Sequence, residues 1–477
     1  MTSAPAAAPG ARSPWAVFAV VALGTFMATL DSSIVNVALP TLARTFHATV
    51  TQIEWISLGY VLTITGLLLP FGRLGDAVGR RSVFLWGLAL FTLGSLACAF
   101  AHSTGTLIAA RLFQGVGASM VSANSVALIT QAVPPAMRGR ALGMVGAVVG
   151  LGLTVGPPLG GLLLSVASWP WIFLVNLPIG VAGVLCAAAV LPRTQPGTSP
   201  ARPPFDLAGA VLAMAMLIGL TLVLSRGATW GWRSPATLAG VAGTVLALAL
   251  FIAVERRARD PLIDFAFFAD PAFRTPMLAL FLAFAALFSV VFLVPFYLER
   301  IGGLAPADVG RVLVVVPLLL LMVSPASGAL SDRVGTRRLA VLGLGLTCAG
   351  LALLAWLIGR AGDRPVAVPA IIAGLFVVGA GQGFFQPPNS SSAMGSVPPD
   401  RLGLAGGLLA TMRNLGTLCG IGMAAAVYEG REQVYARSYG AVHAAGLGMR
   451  DAFLAAALVA ALGTALVLAG RSVPRKA

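Results

Sequence analysis

One short polar pattern occurs twice in this chain, 256 residues apart, each time between two long apolar runs. The first copy runs from Gly72 to Arg81 and the second from Gly328 to Arg338. At that single offset Gly72/Gly328, Leu74/Leu330, Asp76/Asp332, Val78/Val334, Gly79/Gly335, Arg81/Arg337 and Gly87/Gly343 all coincide. A chain that duplicates half of itself inside a membrane yields two similar bodies. Two such bodies can rock about a central site, which is the layout of alternating-access transport.

Composition supports the membrane reading. Of the 477 residues 58% are apolar and only 10% charged, with mean hydropathy +0.92. A soluble domain carries about 25% charged residues. The net charge of +15 comes from residues scattered through short loops, without the basic stripe and interleaved aromatics of a nucleic-acid binder, so no nucleic-acid partner is expected. Cys98, Cys186, Cys348 and Cys419 all lie inside apolar runs with no CxxC or Cys/His neighbour, which indicates neither a disulfide framework nor a metal site.

A membrane crossing needs about 20 mainly apolar residues. Fourteen runs qualify: 15–38, 52–72, 82–100, 104–126, 139–164, 170–191, 207–225, 235–254, 276–298, 308–330, 338–359, 367–389, 404–427 and 450–470. Alternate loops on the side of the termini hold 19 Arg and Lys residues, against 10 on the other side. The richer side is expected to be cytoplasmic. The repeat offset exceeds six spans and their loops by enough for two more, supplied by residues 207–254. The expected fold is therefore all-α and polytopic: a six-helix bundle (15–191), a linker (192–206), two inserted helices (207–254), a cytoplasmic interfacial segment (255–275) and a second six-helix bundle (276–470). Residues 1–14 and 471–477 read as cytoplasmic tails.

Ionisable residues inside spans are expensive and mark function by default. Asp31 lies in span 1 and Arg111 about seven residues into span 4, at depths that allow them to meet. Burial disfavours a charged carboxyl, whereas a nearby guanidinium favours it. A site balanced between the two can load and release a proton; the alternative is an ion pair that only fixes two helices. Arg413 and Asn414 fall near the middle of span 13, and Gln382, Gln386 and Asn389 share one face of span 12. These, with Glu54 and Tyr60 of span 2 and Gln114 of span 4, are the candidates for a substrate cavity. Phe281, Phe284, Phe288 and Phe292 recur along span 9, where packing or lipid contact outweighs a drug-binding wall. Gly152, Gly156 and Gly160 crowd span 5 beside Pro157. Small residues four apart let helices approach closely, and the absence of a preceding strand argues against a dinucleotide loop.

Taken in order, these motifs resemble the fourteen-span drug/proton antiporters (EmrB/QacA type) of the major facilitator superfamily, nearly end to end. The resemblance implies the major facilitator fold: two six-helix bundles plus two inserted spans. The tag Gly72–Arg81 resembles the loop between spans 2 and 3, in which Asp76 would engage Arg80 or Arg81 and a helix end as a conformational latch. Gly72, Gly79, Asp332 and Arg337 complete the two copies of that latch. Arg111–Ala118 resembles the span-4 motif implicated in proton coupling, and Gly152–Gly161 the span-5 exporter motif thought to seal the halves. Leu30–Pro40 and Trp169–Gly180 resemble two further signatures, the first containing the family's buried acid. Pro170 stands where the family usually has arginine, and Thr336 alters the second tag.

These readings converge on a proton-coupled exporter of amphipathic drug- or antibiotic-like molecules in a bacterial plasma membrane. Asp31 and Arg111 would couple the proton, and the expected partners are a small-molecule substrate, protons and lipid, with the chain acting as a monomer. No nucleotide-binding loop is present, so the proton motive force rather than ATP or another cofactor is the expected energy source. The rival on the same scaffold is a proton-coupled importer of a small metabolite. An enzyme would need a nucleophile–base or His/Asp/Glu cluster, whereas His47, His102 and His443 lie in loops or at span ends.

Overall fold

A computed structural model describes residues 13–134, 137–192, 206–257, 266–397 and 402–470. Residues 1–12 and 471–477 of the expected tails, nearly all of the 192–206 linker and part of the 255–275 segment lie outside these described residues, while Ser13 and Pro14 of the first tail cap and begin a helix. The helices are α1 (Pro14–Thr45), α2 (Val50–Ile53), α3 (Trp55–Val78), α4 (Arg80–Ala99), α5 (Thr104–Ala132), α6 (Arg138–Val166), α7 (Trp171–Leu174), α8 (Asn176–Val190), α9 (Leu207–Trp230) and α10 (Pro235–Glu255). They continue with α11 (Ala266–Ala269), α12 (Pro271–Phe296), a π turn (Tyr297–Ile301), α13 (Pro306–Leu313), α14 (Val315–Val334), α15 (Thr336–Ala361), α16 (Val368–Gly395), α17 (Leu402–Tyr435) and α18 (Ala441–Ala469). Among the described residues, 13 helical segments are long and apolar enough to cross a membrane. The expected thirteenth span, α17, is not one of them. Its 34 residues give ample length, but Arg413, Asn414, Glu429, Arg431 and Glu432 interrupt its apolar run.

The duplicated tag has a structural meaning. Gly79 ends α3 with φ 101° and Gly335 ends α14 with φ 95°, a left-handed conformation that glycine adopts without steric cost. The next helix starts at once in both cases. The paired glycines further on serve close packing: a Cβ at Gly87 would lie 2.7 Å from that of Met120 on α5, and one at Gly343 2.5 Å from the Gly381 oxygen on α16. Arg81 donates to the Ala188 carbonyl at the end of α8 (2.8 Å), and Arg337 to the Val467 carbonyl (3.1 Å) and to Leu468 at the end of α18. Each guanidinium therefore caps the negative end of the sixth helix in its own bundle. Asp76 and Arg80 form an exposed pair at 2.7 Å. The side chain of Asp332 lies outside the described residues.

The bundles meet along two seams. On one, α6 packs against α13 and α14; on the other, α3 packs against α17, with α9 laid across both. The inserted hairpin thus covers one seam: a Cβ at Gly422 of α17 would lie 3.2 Å from that of Leu224 on α9. On the face opposite the tags, polar ties join the halves. Arg44 pairs with Glu299 at 2.5 Å, and the Thr51 amide donates to Glu429 at 2.6 Å.

The crowded glycines of α6 divide between two neighbours. Gly152, Gly156 and Gly160 face Thr29, Ser33 and Ile34 of α1, inside one bundle. The inter-bundle contact is made by Gly161 against Pro306 and Ala307, and by Gly310 against Pro157. A Cβ at Gly156 would stand 2.5 Å from that of Ser33, and overpacking of this kind costs about 1–3 kcal/mol. Gly156→Ala is expected to lower the thermal midpoint of the detergent-solubilised protein. Gly243→Ala, where nothing lies within 4 Å, should leave it unchanged or raise it.

Candidate functional site

The first bundle converges on one carboxylate. Asp31 sits near the middle of α1 and is 0% exposed. Its Oδ2 accepts from Arg111 of α5 at 2.5 Å. Its Oδ1 accepts from Gln114, one turn further along α5, at 2.9 Å and from Asn176, the first residue of α8, at 2.8 Å. The spacing of Arg111 and Gln114 places both on one helix face. Burial of an ion pair is tolerable only when its remaining polar atoms are also partnered, and here most of them are. Arg111 donates from Nε to the Ile56 carbonyl at 3.2 Å and from Nη1 to Gln114 Oε1 at 2.5 Å. Gln114 donates on to Ser95 at 2.7 Å, and the Cys98 thiol reaches Gln114 Oε1 at 3.7 Å. The Arg111 guanidinium lies 3.9 Å from the centroid of the Tyr60 ring, with Phe173 5.9 Å away, so aromatic faces supply stabilisation where water is absent.

The expected juxtaposition of Asp31 with Arg111 is therefore present. Tyr60 and Gln114, read from sequence as cavity candidates, are instead buried parts of the same network. Ser95, Cys98 and Asn176 were missed. Polar residues on apolar helices gave no periodic signal, although Asn176 stands within the Trp169–Gly180 signature.

Other candidates occupy different places. Glu54 marks the break between α2 and α3 and is 0% exposed. One of its oxygens accepts from Ser225 of α9, to which the Trp55 indole also donates at 2.9 Å; the other has no hydrogen-bond partner. Gln382 and Asn389 are buried rather than open to a cavity, donating to the Ala283 and Pro276 carbonyls of α12 at 3.3 and 3.0 Å. Gln386 is half-buried and bonded to Gln382 at 3.4 Å. Asn414 is likewise half-buried, whereas the neighbouring Arg413 side chain is exposed. Phe284 and Phe288 stack at 6.0 Å in a packing role. Among the described residues no group of His, Cys, Asp and Glu is placed to hold a metal.

Two six-helix bundles with a sealed charge network in one of them invite comparison with known carriers. The model of the Major Facilitator Superfamily matches residues 21–206, 205–421 and 277–477. The chain belongs to that superfamily. It is 34% identical over 408 residues to the riboflavin transporter RibZ of Clostridioides difficile, covering 85% of this chain and 86% of RibZ. It is 32% identical over 406 residues to the multidrug resistance protein Stp of Mycobacterium tuberculosis, covering 85% and 74% respectively. Among solved structures, a bacterial homolog of the human lysosomal transporter Spinster superposes with TM-score 0.68 at 17% identity over 97% of each chain. This superfamily member is a multi-pass membrane transporter rather than an enzyme.

Removing one partner of a buried, hydrogen-bonded pair costs about 3–5 kcal/mol, whereas replacing both with apolar residues can be near neutral. Arg111→Leu is accordingly expected to lower the thermal midpoint sharply. Asp31→Leu combined with Arg111→Leu should recover much of that loss in a double-mutant cycle.

Proposed function

We propose that this transporter is a proton-coupled exporter of amphipathic drug- or antibiotic-like molecules. The observation that carries the reading is the fully buried carboxylate of Asp31, tied at once to α5 and α8. A conformational change that shifts α1 against α5 must break or remake those bonds, altering how strongly the carboxylate holds its charge. That links helix movement to proton uptake and release. Each elementary charge crossing the membrane is worth about 2.3 kcal/mol per 100 mV, enough to drive a solute uphill.

In this reading the chain crosses a bacterial plasma membrane fourteen times, α17 included, with the tag face and both termini in the cytoplasm, and works as a monomer. The ties Arg44–Glu299 and Thr51–Glu429 then close the outer face, while the Asp76–Arg80 pair and the helix-capping arginines act as latches on the inner one. The relationship to a multidrug resistance protein supports export.

A second reading is favoured by the relationship to a riboflavin transporter: carriage of a vitamin-like metabolite in the opposite direction. Inverted vesicles separate the two. Substrate uptake into them on energisation with a proton gradient supports export; uptake by intact cells supports the alternative. Asp31→Asn is expected to bring proton-driven flux to background while leaving folded protein in the membrane. Wild-type flux in that variant would remove Asp31 from the coupling mechanism.

A further inference from the structure

The charges of the membrane interior do not balance between the bundles. Asp31 and Arg111 neutralise each other within the first. In the second, Arg413 lies eleven residues from the start of α17, about 16 Å along the helix at 1.5 Å per residue. Its guanidinium has no hydrogen bond and no acidic partner among the described residues. Its one close neighbour of note is the Phe284 ring, with a centroid 5.9 Å away. The acids of α17, Glu429 and Glu432, lie 16 and 19 residues further on, about 24 Å or more along the same helix.

The side chain is also not turned to lipid. Its surface is exposed, so it borders open space, and the sector of the helix it occupies decides what that space is. Helix geometry agrees with that placement. At 100° per residue, Gly416 and Gly420, which meet Phe284 and Ala285 of α12, lie on one sector of α17, and Gly407, which faces Leu69 of α3, lies on another. Arg413 falls between them, on the side where α12 of one bundle and α3 of the other border the space between the halves.

A guanidinium held in a low-dielectric setting, unpaired and accessible, is a recognition group for an anion. We propose that Arg413 binds an acidic group of the transported molecule, a carboxylate, phenolate or comparable anion, with the Phe284 ring beside it. The inference rests on the transporter reading above and narrows its substrate class to anionic rather than cationic amphipaths. Cationic amphipaths would meet an uncompensated positive charge at mid-membrane.

The test uses two dyes on the same xanthene frame, anionic fluorescein and cationic rhodamine 123, with the purified full chain at equilibrium and no gradient. The wild type is expected to bind fluorescein saturably and more tightly than rhodamine 123. Arg413→Gln should weaken fluorescein at least tenfold without weakening rhodamine 123, and Arg413→Lys should restore part of the loss. Unchanged elution and thermal midpoints guard against misfolding. Preference for rhodamine 123, no saturable fluorescein binding, or fluorescein binding indifferent to Arg413→Gln would each overturn the proposal. Because no flux is measured, a failure of proton coupling or of export leaves this result standing, and the reverse also holds.

Discussion

The first bundle is organised around a charge that cannot be solvated. Asp31 has no access to water, so its three partners must come from the protein, and they come from helices far apart in sequence. Arg111 and Gln114 fix α5 against α1, Asn176 fixes the start of α8, and Ser95 ties α4 in through Gln114. The pair is a specification device as much as an energetic one, because misplacing any of these helices strands a buried ion. That dependence also makes it responsive, since the same bonds must be renegotiated whenever α1 moves relative to its neighbours.

Much of the architecture was legible because membranes simplify the code. Lengths of apolar runs located the crossings, and the tag offset gave the duplication and the inserted hairpin. What composition could not supply was the internal breaks. Span 2 is divided at Glu54, span 6 at Val175 and span 10 at Val314, the last two within mainly apolar sequence. Helix α17 is the converse case: it is long enough to cross, but charged and polar residues dilute its apolar signal.

At the site, charge was easier to read than polarity. Asp31 and Arg111 stood out because ionised groups are rare inside spans. Asn176 and Ser95 did not, because neutral polar residues are common there and only three-dimensional placement reveals which complete a network. The polar face of α16 misled for a related reason: Gln382 and Asn389 share a face as expected, but backbone carbonyls of α12 satisfy them. Periodicity shows that residues look the same way, not what they look at.

The hairpin of α9 and α10 has a mechanical consequence. A rod lying across two bodies that rotate relative to each other cannot be welded to both. Where α9 touches α3 and α17, its neighbours include glycines, Gly66 facing Met214 and Gly422 facing Leu224. Against α17 the hairpin rests on a helix surface without a side chain at Gly422, while the polar anchor of Ser225 to Glu54 and Trp55 pins the rod to the first bundle. The hairpin should therefore travel with the first bundle and let the second slide beneath it.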